Sequence, residues 1–208
     1  MRGRPSDIWD GDVATLRGSA LVDALQSARF GAVYVDRTGY KDHGAAIGQA
    51  LVKSLGPPIL EDADAAFYRV PQPTGAILPH LAVGIGAGWW FNENPATILT
   101  GWSRGDATLA LLNPAATPQA GIVRFKLNSI SPRNVQVFYR TEILATKKLQ
   151  PGHPALFDLP VSMVPGESRL ELRTDEPAVR PQNGDPRTVA MYISGLSLRP
   201  PVDHLPVP

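Results

Sequence analysis

The sequence predicts a mostly β protein, an antiparallel β-sandwich of jelly-roll type preceded by a small, incomplete α/β segment. Three observations carry this reading. From Trp89 onward apolar residues recur with a period of two, the signature of strands with one buried face. The 19 glycines and 21 prolines among 208 residues fall, in the second half, between short apolar runs, as turn punctuation does in all-β proteins. Before that half, Phe30-Gly-Ala-Val-Tyr-Val-Asp-Arg-Thr-Gly-Tyr40 runs an apolar strand into a polar turn and then a helix, as one β-α step of an α/β domain.

The elements follow in order. Ser19 is placed to cap a helix over 19–29, with Leu21, Val22, Leu25 and Ala28 at helical spacing. Ala32 to Val35 read as a short strand apolar on both faces, as expected of a strand covered by helices. Asp42 is placed to cap a second helix over 44–55, whose Ala46, Ile47, Ala50, Leu51 and Leu55 line one side, and Gly56-Pro57-Pro58 ends it. Residues 59–60 and 66–70 read as two more short strands. So few elements bury too little surface for a self-standing α/β sheet, and the segment reads as the end of something larger, with an exposed strand edge or apolar helix face. The expected division is 1–72 partial α/β segment, 73–88 connector, 89–200 sandwich and 201–208 tail.

Within the sandwich, Val123, Phe125 and Leu127 alternate with Arg124, Lys126 and Asn128. Val135, Val137 and Tyr139 alternate with Gln136, Phe138 and Arg140, and Leu170 and Leu172 with Arg169, Glu171 and Arg173. With 108–112, 156–159 and 189–198 added, about seven or eight strands separated by turn signals make the sandwich.

Composition narrows the function classes. Twenty Lys and Arg against 19 Asp and Glu leave a net charge of +1, no field to hold a polyanion, so nucleic acid is not an expected partner. Without cysteine there are no disulfides or thiolate metal sites. No apolar run reaches the roughly 18 residues of a membrane span, and no h-region follows the basic start, so no transmembrane segment is expected. His43, His80, His153 and His204 are widely separated, and no metal site follows from them. Gly84-Ile-Gly-Ala-Gly88 lacks the third glycine and the helix of a dinucleotide loop, so it reads as flexible connector and no cofactor is expected. No Gly-x-Ser-x-Gly elbow is present, and no catalytic residue is assigned.

Three clusters remain as candidate sites. Trp89, Trp90, Phe91 and Trp102 gather three of the four tryptophans within fourteen positions. Trp90 and Trp102 are the ones expected at the surface, with Arg104 and Asp106 nearby, and aromatic faces of this kind stack on the apolar faces of sugar rings. Asp185 and Arg187 in Gly184-Asp-Pro-Arg187 offer a carboxylate and a guanidinium on a loop; a turn in which Asp185 bonds its own backbone accounts for the same residues. Asp36, Arg37, Tyr40 and His43 gather just past a strand, where open α/β sheets place ligands. There the structural alternative is that Asp36 and Asp42 accept from turn and helix amides while Arg37 pairs with a carboxylate.

The segments Arg2-Gly-Arg-Pro-Ser-Asp-Ile-Trp9, Leu21-Val-Asp-Ala-Leu25 and Phe30 to Tyr40 resemble the C-terminal extracytoplasmic region of bacterial multi-pass membrane glycosyltransferases and related sulfatase-like envelope transferases. Trp102, Gly166-Glu-Ser-Arg-Leu-Glu-Leu172 and Gly184-Asp-Pro-Arg187 resemble the β-sandwich tails of such enzymes. The resemblance implies a non-catalytic, carbohydrate-binding-like region tied to envelope glycan transfer, with a glycan or a membrane transferase as partner. Membrane helices and an acidic catalytic loop are not in this sequence, so the transferase activity does not carry over. It implies a periplasmic or extracytoplasmic setting for a piece of a larger membrane protein, and a cytoplasmic one for a complete chain. The alternatives are an enzyme acting on a saccharide or phosphoester through Asp36 and His43, and a purely structural interaction module. The near-zero net charge implies glycan contacts made by stacking and neutral hydrogen bonds, weak and insensitive to salt.

Overall fold

The computed structural model describes residues 5–73, 79–90, 99–199 and 201. Phe91, His204 and the expected tail at 202–208 lie outside these. The chain divides into two units, Val13–His80 and a second that joins Met1–Asp12 to Leu81–Pro208.

In Val13–His80, helices α2 (Ser19–Ser27) and α3 (Ala45–Leu55) accompany strands β1 (Ala32–Asp36), β2 (Leu60–Glu61) and β3 (Ala65–Arg69). The sheet order is β1-β3-β2 and both pairings are antiparallel. The expected strand–turn–helix step is present as β1, the turn at Arg37–Gly39 and α3, and β3 enters between β1 and β2 with antiparallel pairing to both. Asp62 accepts from the amides of Asp64 and Ala65 and closes a tight β2–β3 hairpin, which enforces the antiparallel course. The strand at 32–36 is also covered on one face only. Val35 packs with Leu51, Ala66 and Tyr68, whereas Tyr34 is 56% exposed. The open face carries a cross-strand row, Tyr34 opposite Phe67 opposite Leu60, with the two rings 4.9 Å apart. Asp42 caps α3 by accepting from the amides of Gly44 and Ala46, and Gly56 closes it at φ 87°. Ser19 does not cap α2. Gly18 occupies the N-cap without a side-chain bond, and its amide donates to Ser54 Oγ.

The second unit is a sandwich of nine strands among the described residues: β4 (Ala82–Ile85), β5 (Gly101–Trp102), β6 (Ala107–Asn113), β7 (Gln119–Ser129), β8 (Arg133–Tyr139), β9 (Glu142–Leu149), β10 (Ala155–Met163), β11 (Gly166–Thr174) and β12 (Met191–Arg199). One sheet has the order β10-β7-β12-β5 and the other β4-β6-β11-β8-β9. Numbered from β5, the eight strands β5 to β12 take the orders 1-8-3-6 and 2-7-4-5, the jelly-roll arrangement, and β4 adds an outer strand beside β6. Thus the stretch expected as a connector is partly strand, because small residues at 82–85 pair with β6 as well as bulky ones would.

The alternations hold as read. Val123, Phe125, Leu127, Val135, Val137, Leu170 and Leu172 are each 0% exposed and meet across one core. Strand β6 is buried on both faces. Leu109 and Leu111 enter that core, and Ala110 and Leu112 pack with Ala82 and Ile8 of helix α1 (Pro5–Val13). Gly84 lies against this helix, where a Cβ would stand 3.4 Å from Ile8 Cγ2, an ordinary van der Waals contact. The outer face of the five-stranded sheet is therefore covered by α1 at its β4–β6 end.

Candidate glycan-binding face

The open surface of the four-stranded sheet gathers the aromatic residues. A single bridge joins Trp89 and Ser103, flanked by bonds from Arg104 N to Gly88 O (2.8 Å) and from Trp90 N to Trp102 O (2.7 Å). Trp89 and Ser103, 3% and 0% exposed, point inward, so Trp90, Trp102 and Arg104 point outward and Trp90 stands opposite Trp102. On the next strand Trp102 is opposite Tyr192, and Tyr192 in turn is opposite Asn128. The result is one row, Trp90, Trp102, Tyr192, Asn128, perpendicular to four adjacent strand segments. At about 4.8 Å per strand the three aromatics span roughly 10 Å, a length comparable with two linked sugar rings.

Local bonds hold the row in place. Trp90 Nε1 donates to Thr188 O at 2.8 Å, and the Arg104 guanidinium lies 4.9 Å from the Trp90 ring centre. The Trp102 and Tyr192 rings are 5.2 Å apart and tilted by 51°, so each is braced by its neighbour and their faces are not coplanar. Buried Ser103 ties the underlying strands, its Oγ accepting from Met191 N at 3.0 Å. Gly88 brings the Trp90 segment onto β6. At φ 87° its missing side chain leaves the space that Asp106 O occupies, 2.3 Å from where a Cβ would stand.

Two residues along each strand, on the same face, lie Ser194, Lys126 and Leu156, then Ser197, Arg124 and Asp158, then Arg199, Ile122 and Pro160. Gly195, at φ 63°, forms the bulge between Ser194 and Ser197 and keeps both serines outward. Arg124 and Asp158 form a two-pronged ion pair, 2.9 Å at Nη2–Oδ2, which lowers the carboxyl pKa of Asp158 and raises that of Arg124.

The structure thus brings Trp90, Trp102 and Arg104 together. Asp106 is not with them: its Oδ1 accepts from Thr174 N at 2.9 Å, beside the five-stranded sheet. Asp185 and Arg187 pair with each other, 2.6 Å at Nη2–Oδ2, and Asp185 also accepts from Arg187 N. The Arg187 side chain and amide hold the Asp185 carboxyl down at about 2. Their loop meets the aromatic row through the Thr188 carbonyl. In Val13–His80, Asp36 accepts from the Thr38 amide and hydroxyl, which lowers its pKa. Arg37 donates to Glu61 and to Asp62 O, while Tyr40 is 46% exposed. His43, at φ 50°, turns the chain into α3. Among the described residues no group of three or more His, Asp or Glu is placed to hold a metal ion, and no helix is long and apolar enough to cross a membrane.

Sequence reasoning missed Tyr192 and Asn128. The signal was the alternation of Met191–Arg199, which puts an aromatic at an outward position.

No protein-family model matches the chain, and no curated protein does. Solved structures similar to it include a mutant of a family 29 carbohydrate-binding module, 11% identical over 49% of this chain and 69% of that one at a TM-score of 0.29. A family 35 carbohydrate-binding module from an environmental isolate is 14% identical over 58% of this chain and 96% of that one at a TM-score of 0.34. A Bacillus thuringiensis Cry1Da tryptic core variant is 14% identical over 65% of this chain and 26% of that one, also at 0.34.

Proposed function

We propose that the sandwich is a glycan-binding module whose site is the outer face of the β10-β7-β12-β5 sheet. The row Trp90, Trp102, Tyr192 carries this reading: three aromatic side chains at outward positions, braced by one another, by Arg104 and by Thr188, with the Asn128 amide at the end of the row. Rings fixed before binding lose little freedom when a sugar stacks on them. Asn128, Ser194 and Ser197 supply short polar groups for sugar hydroxyls, and the exposed Gly195 keeps the face low beside the serines. On this reading the ligand is a cell-envelope polysaccharide and the chain works outside the cytoplasm, with the transferase-tail resemblance of its sequence as support. Calorimetric titration of the intact chain with envelope-derived oligosaccharides tests it. Trp102→Ala should weaken binding about tenfold, the equivalent of ~1.4 kcal/mol for one lost stacking contact. Full binding by Trp102→Ala, or none by the intact chain across a broad glycan array, refutes the proposal.

A further inference from the structure

The net charge of +1 conceals a segregation of charge. On the outward positions of the four-stranded sheet and its Trp90–Arg104 margin stand Lys126, Arg124, Arg199 and Arg104, against one carboxylate among the described residues, Asp158. Asp158 is bound by Arg124 and also feels Arg199 and Lys147. Arg104 is engaged with Trp90, while Lys126 is exposed and occupies the position diagonal to Tyr192 across β7 and β12. Diagonal neighbours stand about 7–8 Å apart between Cα atoms, so the ammonium at the end of a four-carbon stem reaches a charged group on a sugar stacked over Tyr192.

We infer that the glycan this face takes is anionic, a chain of carboxylated sugars, with Lys126 as the residue that selects charge and Arg199 extending the cationic strip along β12. The inference rests on the glycan-binding reading above. It also replaces the salt-insensitive binding expected from the net charge alone, because an approaching anion feels the local face rather than the sum over the molecule.

The test is calorimetry on the intact chain with two probes, a neutral β-1,4-glucan hexasaccharide and an oligogalacturonate of equal length, each at about 50 and 500 mM salt, where screening lengths differ several-fold. The acidic oligomer should bind more tightly than the neutral one at low salt and lose most of that advantage at high salt. Lys126→Gln should cut acidic binding about two- to fivefold, the range of one exposed ion pair, leave neutral binding unchanged, and be rescued by Lys126→Arg. Trp102→Ala should weaken both probes. Equal, salt-independent affinity for the two probes with Trp102→Ala still disruptive overturns the inference and leaves the stacking site standing. Binding of neither probe, or binding of both that Trp102→Ala leaves intact, overturns the site itself and the inference with it.

Discussion

Phe125→Ala is the sharpest probe of the sandwich register. Phe125 is 0% exposed and directly opposite Phe157 across β7 and β10, the rings stacked at 4.9 Å and 9°. Lys147 Nζ lies 5.1 Å from the Phe157 ring centre and donates to Leu156 O. Emptying a core aromatic site costs about 3–5 kcal/mol. Loss of the ring pair, about 0.5–1.5 kcal/mol beyond burial, places this site in the upper part of that range. With a urea m-value of about 2 kcal/mol/M, the midpoint should fall by roughly 2–2.5 M. Tryptophan fluorescence reads the right unit, because Trp9, Trp89, Trp90 and Trp102 all belong to the sandwich and none to Val13–His80. Ile143→Ala, at a side chain 54% exposed on β9, is the control and should cost under about 0.5 kcal/mol. Equal midpoint shifts for the two variants would mean that Arg124 and Lys126, not Phe125, face the core, and would refute the register and the outward row built on it.

Other outcomes follow from the same geometry. Arg133 is 2% exposed and donates to Glu176 O, Pro177 O and Ser131 Oγ, so Arg133→Met should destabilise by about 1.5–3 kcal/mol and speed amide exchange in the loop after β11. Gly88→Ala combines a left-handed backbone with a Cβ driven into Asp106 O; a loss above about 2 kcal/mol is expected in thermal melts. Asp185 has a depressed carboxyl pKa of about 2. Its pairing with Arg187 therefore favours the folded loop above the unfolded value of about 3.9, and that contribution fades as pH falls through about 2. Carbon-detected NMR titration should show an Asp185 midpoint well below that of an unstructured aspartate, and Arg187→Gln should move it upward.

Period-two alternation made most of the sandwich legible, because one dry and one wet face is a direct imprint of burial. Strand β9 escaped it, since its edge position leaves Ile143 exposed and places Lys147 and Lys148 beside apolar residues. Strand β4 was hidden in a glycine-rich stretch that also reads as linker. In the small unit the elements were legible but the coverage of the first strand was misread: Val33-Tyr34-Val35 is apolar throughout, yet the antiparallel sheet buries only the valine side. At the site, tryptophan clustering pointed to Trp90 and Trp102, but their alignment with Tyr192 and Asn128 depends on cross-strand register between segments far apart in the chain, which no local pattern contains. Asp106 illustrates the converse. It is close to Trp102 in sequence, but its side chain bonds β11 of the other sheet.

The central claim is that sugars stack on the outward row of the four-stranded sheet and not on exposed aromatics in general. Tyr192 and Tyr34 separate the two, since Tyr34 is 56% exposed and pairs with Phe67 on the open face of the small sheet. Titrating one oligosaccharide that binds the intact chain into Tyr192→Ala and Tyr34→Ala measures this directly. The account predicts about a tenfold loss for Tyr192→Ala and unchanged affinity for Tyr34→Ala. Undiminished binding by Tyr192→Ala, or a comparable loss in Tyr34→Ala, would contradict it.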